Sequence, residues 1–367
     1  MNYDVYMPVK VVSGKNCFVE NSQLLLKYGK KCFVITGKSS AIKSGALADA
    51  IQFFNSHSID YYIFDGIEPN PLTATCKSAG DKAREFSADY ILAIGGGSVL
   101  DASKAIAIYM SNPAFSHSDI YLRNIPCSHI PVILIGTTAG TGSEVTGVSV
   151  LTNSDSGLKK SISGVDCYAD IAFCDYKYTM TSDLTTRIST ALDVFCHAVE
   201  AYLSSAANEN VYMYSSAAIG LSGKYIIDRN YENLSEDDFE KLYTASIYAG
   251  LAINIAGTDF PHTIGYYLTE NFNVPHGKAC AAFMPILLER AKKYCPERLE
   301  AILCLLNCEL VQLIDAVKFL SFVSISVTHE EIAQVSLRWK NGVKNFDRSP
   351  GGFSYKDAEE ALFSLIS

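Results

Sequence analysis

Within DVFCHAVEAY (residues 193–202), a carboxylate and an imidazole, Asp193 and His197, stand four positions apart in an apolar stretch. Four residues is just over one helical turn, so both side chains project from one helix face. Ala191, Leu192, Val194, Phe195, Ala198 and Val199 around them suit a buried helix. Burial penalises an isolated charge, which leaves two readings: a hydrogen-bonded core pair, or half of a metal site.

The chain has only seven histidines, and two more fall in GTDFPHTIGYYLTENFNVPHGKACAAFMP, residues 257–285. His262 follows Pro261 near an expected helix start. His276 lies between Pro275 and Gly277, just before the next apolar helix. The turn between them can bring both imidazoles to the same point. One oxygen and three nitrogen donors suit Fe²⁺ or Zn²⁺, whereas Ca²⁺ or Mg²⁺ needs more oxygen. Spacing alone leaves the four-ligand site and four separate structural side chains equally open. His57, His117, His129 and His329 have no partner spacing and are assigned no role.

A second chemical signal is ILAIGGGSVLDASKAIA, residues 91–107. A buried strand runs to Ile94; Gly95, Gly96 and Gly97 turn the chain, and Ser98 opens a helix through Asp101 and Lys104. Glycines there allow close backbone approach and positive φ angles, and a new helix favours anions at its N-terminus. A pyrophosphate is the natural occupant; an ordinary tight strand-to-helix turn is the alternative. The loop IGTTAGTGSEVT (135–146) also follows a buried strand and offers the hydroxyls of Thr137, Thr138, Thr141 and Ser143. Two such loops in one domain favour a dinucleotide, although neither carries the common GxGxxG fingerprint.

The elements that must hold these residues differ between the two halves of the chain. KCFVITG (31–37), YYIFDGI (61–67), YILAIGGGS (90–98) and PVILIGTTAGTGS (131–143) read as strands ending in turn residues, with helices expected over 44–57 and 73–88. Strand, glycine turn and helix in repetition predict a parallel sheet covered on both faces, with ligands beyond the carboxyl ends of its strands. From about Thr181 long Ala- and Leu-rich helices take over. We therefore expect an α/β dinucleotide-binding domain over residues 1–180 and an all-α metal-binding and catalytic domain over 181–367. In the last stretch, SVTHEEIAQVSLRW reads as a capped amphipathic helix and NGVKNFDRSPGGFS as a loop.

Composition narrows the class. A length of 367 residues suggests two domains, and 49 % apolar with 19 % charged residues excludes a disordered chain. The formal charge of −9 argues against a general nucleic-acid surface. No run of about 18 apolar residues predicts a membrane span, and the N-terminus lacks a signal-peptide pattern. Eleven cysteines without CxxC pairs read as buried thiols in a reducing compartment, so a cytoplasmic location is expected.

EPNP, AIGGGSVLDASKA, GTTAGTGSEVT, DVFCHAVEAYLSSAAN and PHTIGYYLTENFNVPHG, in this order and spacing, together resemble the iron-containing (group III) alcohol dehydrogenases. The resemblance runs from about Lys31 to Pro285. It implies a dehydroquinate synthase-like fold: an N-terminal α/β dinucleotide domain, a C-terminal all-helical domain and a cleft between them. It further implies that Asp193, His197, His262 and His276 are the metal ligands, that Gly95, Gly96, Gly97 and Ser98 hold the pyrophosphate, and that Asp101 belongs to the cofactor-binding residues. Thr137, Thr138 and Thr141 would line the cofactor's other side, Lys160 would reach toward the nucleotide, and Asn70 would also face it. Implied too are a nicotinamide cofactor, a small alcohol or aldehyde substrate and a homodimer.

Two positions depart from the family pattern. Tyr266 stands where several members carry a second histidine four residues after the third ligand. Gly37, followed by Lys38 and Ser39, stands where many NAD-preferring members carry an aspartate for the ribose 2′-hydroxyl. An aspartate there would repel a 2′-phosphate; Gly37 makes room and Lys38 and Ser39 offer it partners, so the reading leans to NADP(H) over NAD(H). The competing readings are a glycerol dehydrogenase-like polyol oxidoreductase, a dehydroquinate synthase-like lyase and a non-enzymatic nucleotide-binding protein. A lyase acting on a phosphorylated substrate should carry several basic residues near the metal segments, which show mainly Lys278.

Overall fold

Four apolar runs set the frame. KCFVIT forms β2 (Lys31–Thr36), DYYIF forms β3 (Asp60–Phe64), YILAIG forms β4 (Tyr90–Gly95) and VILIG forms β5 (Val132–Gly136). Every residue of β4 and β5 is buried, as expected of central strands covered on both faces. Two short strands complete the sheet, β1 (Lys10–Ser13) and β8 (Ile171–Cys174). The computed structural model describes residues 5–122 and 128–366 of the chain.

The six strands pair in the order β1-β8-β5-β4-β2-β3, all parallel. From β2 the chain moves outward to β3, returns across β2 to β4, and continues the other way to β5. Loops leaving β2 and β4 therefore diverge, which is the topological switch point where open α/β sheets bind ligands. An antiparallel hairpin, β6 (Val148–Thr152) with β7 (Lys159–Ser163), lies outside the sheet. Phe18, Val34, Phe54, Leu92, Ile133 and Phe173 are among the fully buried residues that cover one sheet face.

The helices of the second half are Leu184–Leu203, Glu209–Asp228, Glu236–Ala256, Phe260–Phe272, His276–Ala281, Met284–Tyr294, Pro296–Leu306 and Leu310–Leu320. Contacts divide the chain into two compact units. One comprises residues up to Asp183 together with Ser235–Tyr243; the other comprises Leu184–Leu234 and the chain from Thr244 onward. In the first unit Tyr243 donates a 2.9 Å hydrogen bond to buried Glu144.

Near the C-terminus, His329–Ser336 is a helix closed by a Thr328/Glu331 capping box. The stretch expected to be a loop contains a short helix, Lys344–Arg348. Its Phe346 is buried between Trp339 and Phe353, so tertiary packing overrides weak local propensity. The cysteines among the described residues are all free. Among those residues no helix is long and apolar enough to cross a membrane.

Candidate metal centre and nucleotide loops

Three short-range sequence devices converge at one buried carboxylate. Asp193 and His197 are one turn apart on the Leu184–Leu203 helix, with their side-chain oxygen and Nε2 3.8 Å apart. His262 sits in the first turn of Phe260–Phe272, a helix opened by the Asp259 N-cap and by Pro261. His276 is the first residue of the next helix, after Pro275. The His262 and His276 Nε2 atoms lie 3.3 and 3.9 Å from the same Asp193 Oδ1.

Close helix packing makes this convergence possible. A side chain on Gly277 would collide with the Ser189 carbonyl and approach the Asp193 amide at 2.8 Å, and Gly277 N–H instead donates to Ser189 Oγ at 3.1 Å. A Cβ on Gly265 would stand 3.1 Å from the Ala279 backbone. These two glycines let the backbones of three ligand-bearing helices nearly touch.

Asp193, His197 and His262 are buried, whereas the His276 side chain is 28 % exposed and marks the open side of the cluster. Burial alone would push the Asp193 carboxyl up, but the His197, His276 and His262 imidazoles around it hold it well below the usual range. Burial would likewise push the His262 imidazolium down; Cys280, Glu200 and Asp193 raise it well above its ordinary value.

Donor spacing fits a small divalent ion. Two ligands about 2.0–2.1 Å from a tetrahedral centre stand roughly 3.3–3.4 Å apart, and His262 and Asp193 are separated by 3.3 Å. The His197 and His276 pairs with Asp193, at 3.8 and 3.9 Å, are wider than that spacing.

Two neighbours, Glu200 and Cys280, were not read from the sequence. Glu200 is wholly buried and accepts the His262 Nδ1 hydrogen bond at 2.7 Å, which leaves Nε2 facing Asp193. Its other oxygen accepts the Asp259 N–H at 2.7 Å. Cys280 follows His276 by one turn and is also buried. Glu200, at i+7 from Asp193 and i+3 from His197, and Cys280, at i+4 from His276, obey the same spacing rule that exposed the first pair. Tyr266 stacks on the His276 ring at 5.6 Å between centroids.

The two loops expected to bind a nucleotide lie at the switch point. Gly37 follows β2, Gly95 ends β4 opposite Gly136 of β5, and the Thr137 amide bonds the Gly95 carbonyl at 2.9 Å. The expectation of positive φ in the triple glycine is corrected: Gly95, Gly96 and Gly97 are all absent from the left-handed region, and Gly96 has φ −81°. Space is the reason for glycine here. A Cβ on Gly96 would stand 2.9 Å from Thr138 Oγ1, one on Gly95 2.6 Å from Val99, and one on Gly97 2.8 Å from Thr141 Oγ1.

The helix that follows runs Gly97–Ser111, starting one residue before Ser98. Ser98 Oγ accepts the Asn70 N–H at 3.3 Å, and Asn70 itself is in the left-handed conformation, φ 58°. Thr137 is buried and its hydroxyl has no hydrogen-bond partner among the described residues, a donor left for a ligand. Asp101 has both oxygens engaged within the protein, by Ser143 Oγ at 2.6 Å and Val150 N–H at 2.8 Å. Its neighbour Lys104, wholly buried, donates to the carbonyls of Ser143, Thr146 and Val148. Both residues brace the second loop. Lys160, on β7, is exposed and lies over the Tyr121 ring. Lys38, beside Ser39, pairs with Asp65 at 3.3 Å on the surface.

Comparison with known proteins agrees over most of the chain. The profile of the iron-containing alcohol dehydrogenases matches residues 8–176, and that of the Fe-containing alcohol dehydrogenase family, C-terminal, matches 187–321. A 1,3-propanediol dehydrogenase of Citrobacter freundii is 30 % identical over 77 % of this chain and 74 % of its own. An NADPH-dependent butanol dehydrogenase of Clostridium saccharobutylicum is 27 % identical over 80 % of this chain and 75 % of its own. The crystal structure of an iron-containing alcohol dehydrogenase of Thermotoga maritima superimposes with a TM-score of 0.91 at 29 % identity, covering 99 % of both chains. With its motifs, sheet order and helical half all accounted for, the chain belongs to the iron-containing alcohol dehydrogenase family.

Proposed function

We propose that Asp193, His197, His262 and His276 hold one divalent cation, Fe²⁺ or Zn²⁺, and that the chain interconverts small primary alcohols or diols with their aldehydes, using NADP(H) in preference to NAD(H). The observation that carries this reading is the approach of three imidazole Nε2 atoms to one buried carboxylate oxygen, at 3.3 to 3.9 Å. When bound, the cation supplies Lewis acidity toward a hydroxyl or carbonyl oxygen, and the nicotinamide supplies the hydride donor or acceptor.

The protein's own groups prepare that chemistry. Asp193 contributes the anionic donor, and the hydrogen bond to Glu200 fixes the His262 tautomer with Nε2 free for the ion. The partly exposed His276 leaves the centre a side for substrate to enter. In the sheet unit, the backbone N–H groups at the start of Gly97–Ser111 and the unpartnered Thr137 hydroxyl would bind a pyrophosphate, with Thr138 and Thr141 beside the glycines. Asn70, through its bond to Ser98, shapes the same loop.

The preference for NADP(H) rests on Gly37 leaving room beside Lys38 and Ser39. Asp65, which pairs with Lys38, opposes it as a negative charge near the expected 2′-phosphate. We expect kcat/KM with NADPH to exceed that with NADH by about tenfold, and Asp65→Asn to raise the NADPH value by about two- to fivefold. A panel of small alcohols and aldehydes, run with both nicotinamides and defined metals, tests the whole reading. Turnover of none of them with Fe²⁺ or Zn²⁺ present contradicts it; a tenfold preference for NADH removes the cofactor assignment.

A further inference from the structure

The helix that supplies His276 carries a second metal-binding side chain one turn on. Cys280 is wholly buried, and its Sγ lies 3.7 Å from His276 Nδ1 and 3.8 Å from His276 Nε2. The same sulfur lies within 4.8 Å of a His262 ring nitrogen. One donor atom each from Asp193, His262, His276 and Cys280 lies within 4.8 Å of every other. A buried cysteine is commonly a small apolar filler, as Cys32 is among Val34, Phe54 and Leu92. Cys280 has different company: two imidazoles and a carboxylate.

The distances suit coordination. With sulfur about 2.3 Å and nitrogen about 2.0–2.1 Å from a shared ion, donors at ordinary ligand angles would stand roughly 3–4 Å apart. The contact of Gly277 with the Ser189 backbone fixes the His276–Ala281 helix against Leu184–Leu203. Cys280 is therefore held at the cluster by the same packing that places His276.

On the reading that Asp193, His262 and His276 hold the ion, we propose that Cys280 is a further donor to it, through Sγ. Binding exchanges the S–H bond for a sulfur–metal bond; the proton leaves to solvent and no electron is transferred. A thiolate in the set shifts the preference of the centre toward softer ions, so Zn²⁺, Co²⁺ and Cd²⁺ gain over Mn²⁺ and Mg²⁺.

Cobalt(II) titrated into the metal-free full-length protein tests this. The expected result is saturable binding with visible ligand-field bands and a near-ultraviolet thiolate-to-cobalt charge-transfer band, the latter lost in Cys280→Ser and Cys280→Ala. Cobalt binding with ligand-field bands but no charge-transfer band in the unsubstituted protein overturns the thiol assignment and leaves the Asp–His centre standing. A charge-transfer band that persists in folded Cys280→Ser belongs to another cysteine and also overturns it. Failure of the unsubstituted protein to bind cobalt overturns both the thiol assignment and the centre on which it rests.

Discussion

Asp259 links the metal cluster to stability. It caps the helix that begins at Phe260, accepts the Phe260 N–H and the Ser349 hydroxyl on one oxygen, and has no hydrogen-bond partner for the other among the described residues. Burial, with the Glu200 carboxylate beside it, pushes its carboxyl up to about 7. The folded chain thus keeps a proton that the unfolded chain gives up above roughly pH 4. This stabilising contribution is full below that point and is lost as pH rises through about 7. Unfolding free energy should therefore fall between about pH 4 and pH 7, and Asp259→Asn should flatten that slope. Chemical denaturation of both proteins across the range checks it; an unchanged slope in the variant counts against the account. At this scale Asp193 and His197 were legible because four-residue spacing in an apolar helix has few explanations. Glu200 was not, since a glutamate in a helix ordinarily faces water, and Cys280 resembled the chain's other apolar thiols. The triple glycine was legible as a turn, but its physical reason, steric room beside Val99, Thr138 and Thr141, needed three dimensions.

Helix contacts, rather than helix propensities, bring the ligands together. Gly277 is the tightest point, because a methyl there meets the backbone of Ser189, which no rotamer change can move aside. Gly277→Ala should destabilise the protein by about 1–3 kcal/mol and weaken metal binding at the same time. Denaturation curves and a metal titration on the variant test the pair of effects; loss of neither would show that the helices can separate freely. Apolar runs ending in glycine revealed the four long strands of the sheet. Four-residue strands such as KVVS and IAFC carry too little pattern to be read alone, and the hairpin of β6 and β7 is equally inconspicuous. The Lys344–Arg348 helix was hidden by the turn-like residues flanking it.

For the whole molecule, the sheet order decides where a nucleotide can bind, and the helical unit decides where a cation can. The change in texture near residue 180 was visible in composition. The grouping of Ser235–Tyr243 with the sheet was not, since it depends on contacts such as Tyr243 to Glu144, 99 positions apart. The central claim is that one divalent cation sits where three imidazole Nε2 atoms approach a single Asp193 oxygen, at 3.3 to 3.9 Å. Metal content of the purified protein and of His262→Ala and His262→Gln, measured by mass spectrometry after dialysis, is the most direct test. We expect about one divalent ion per chain in the unsubstituted protein and a loss of at least about tenfold in retention in both variants. A folded variant that keeps its full equivalent of metal would contradict the account.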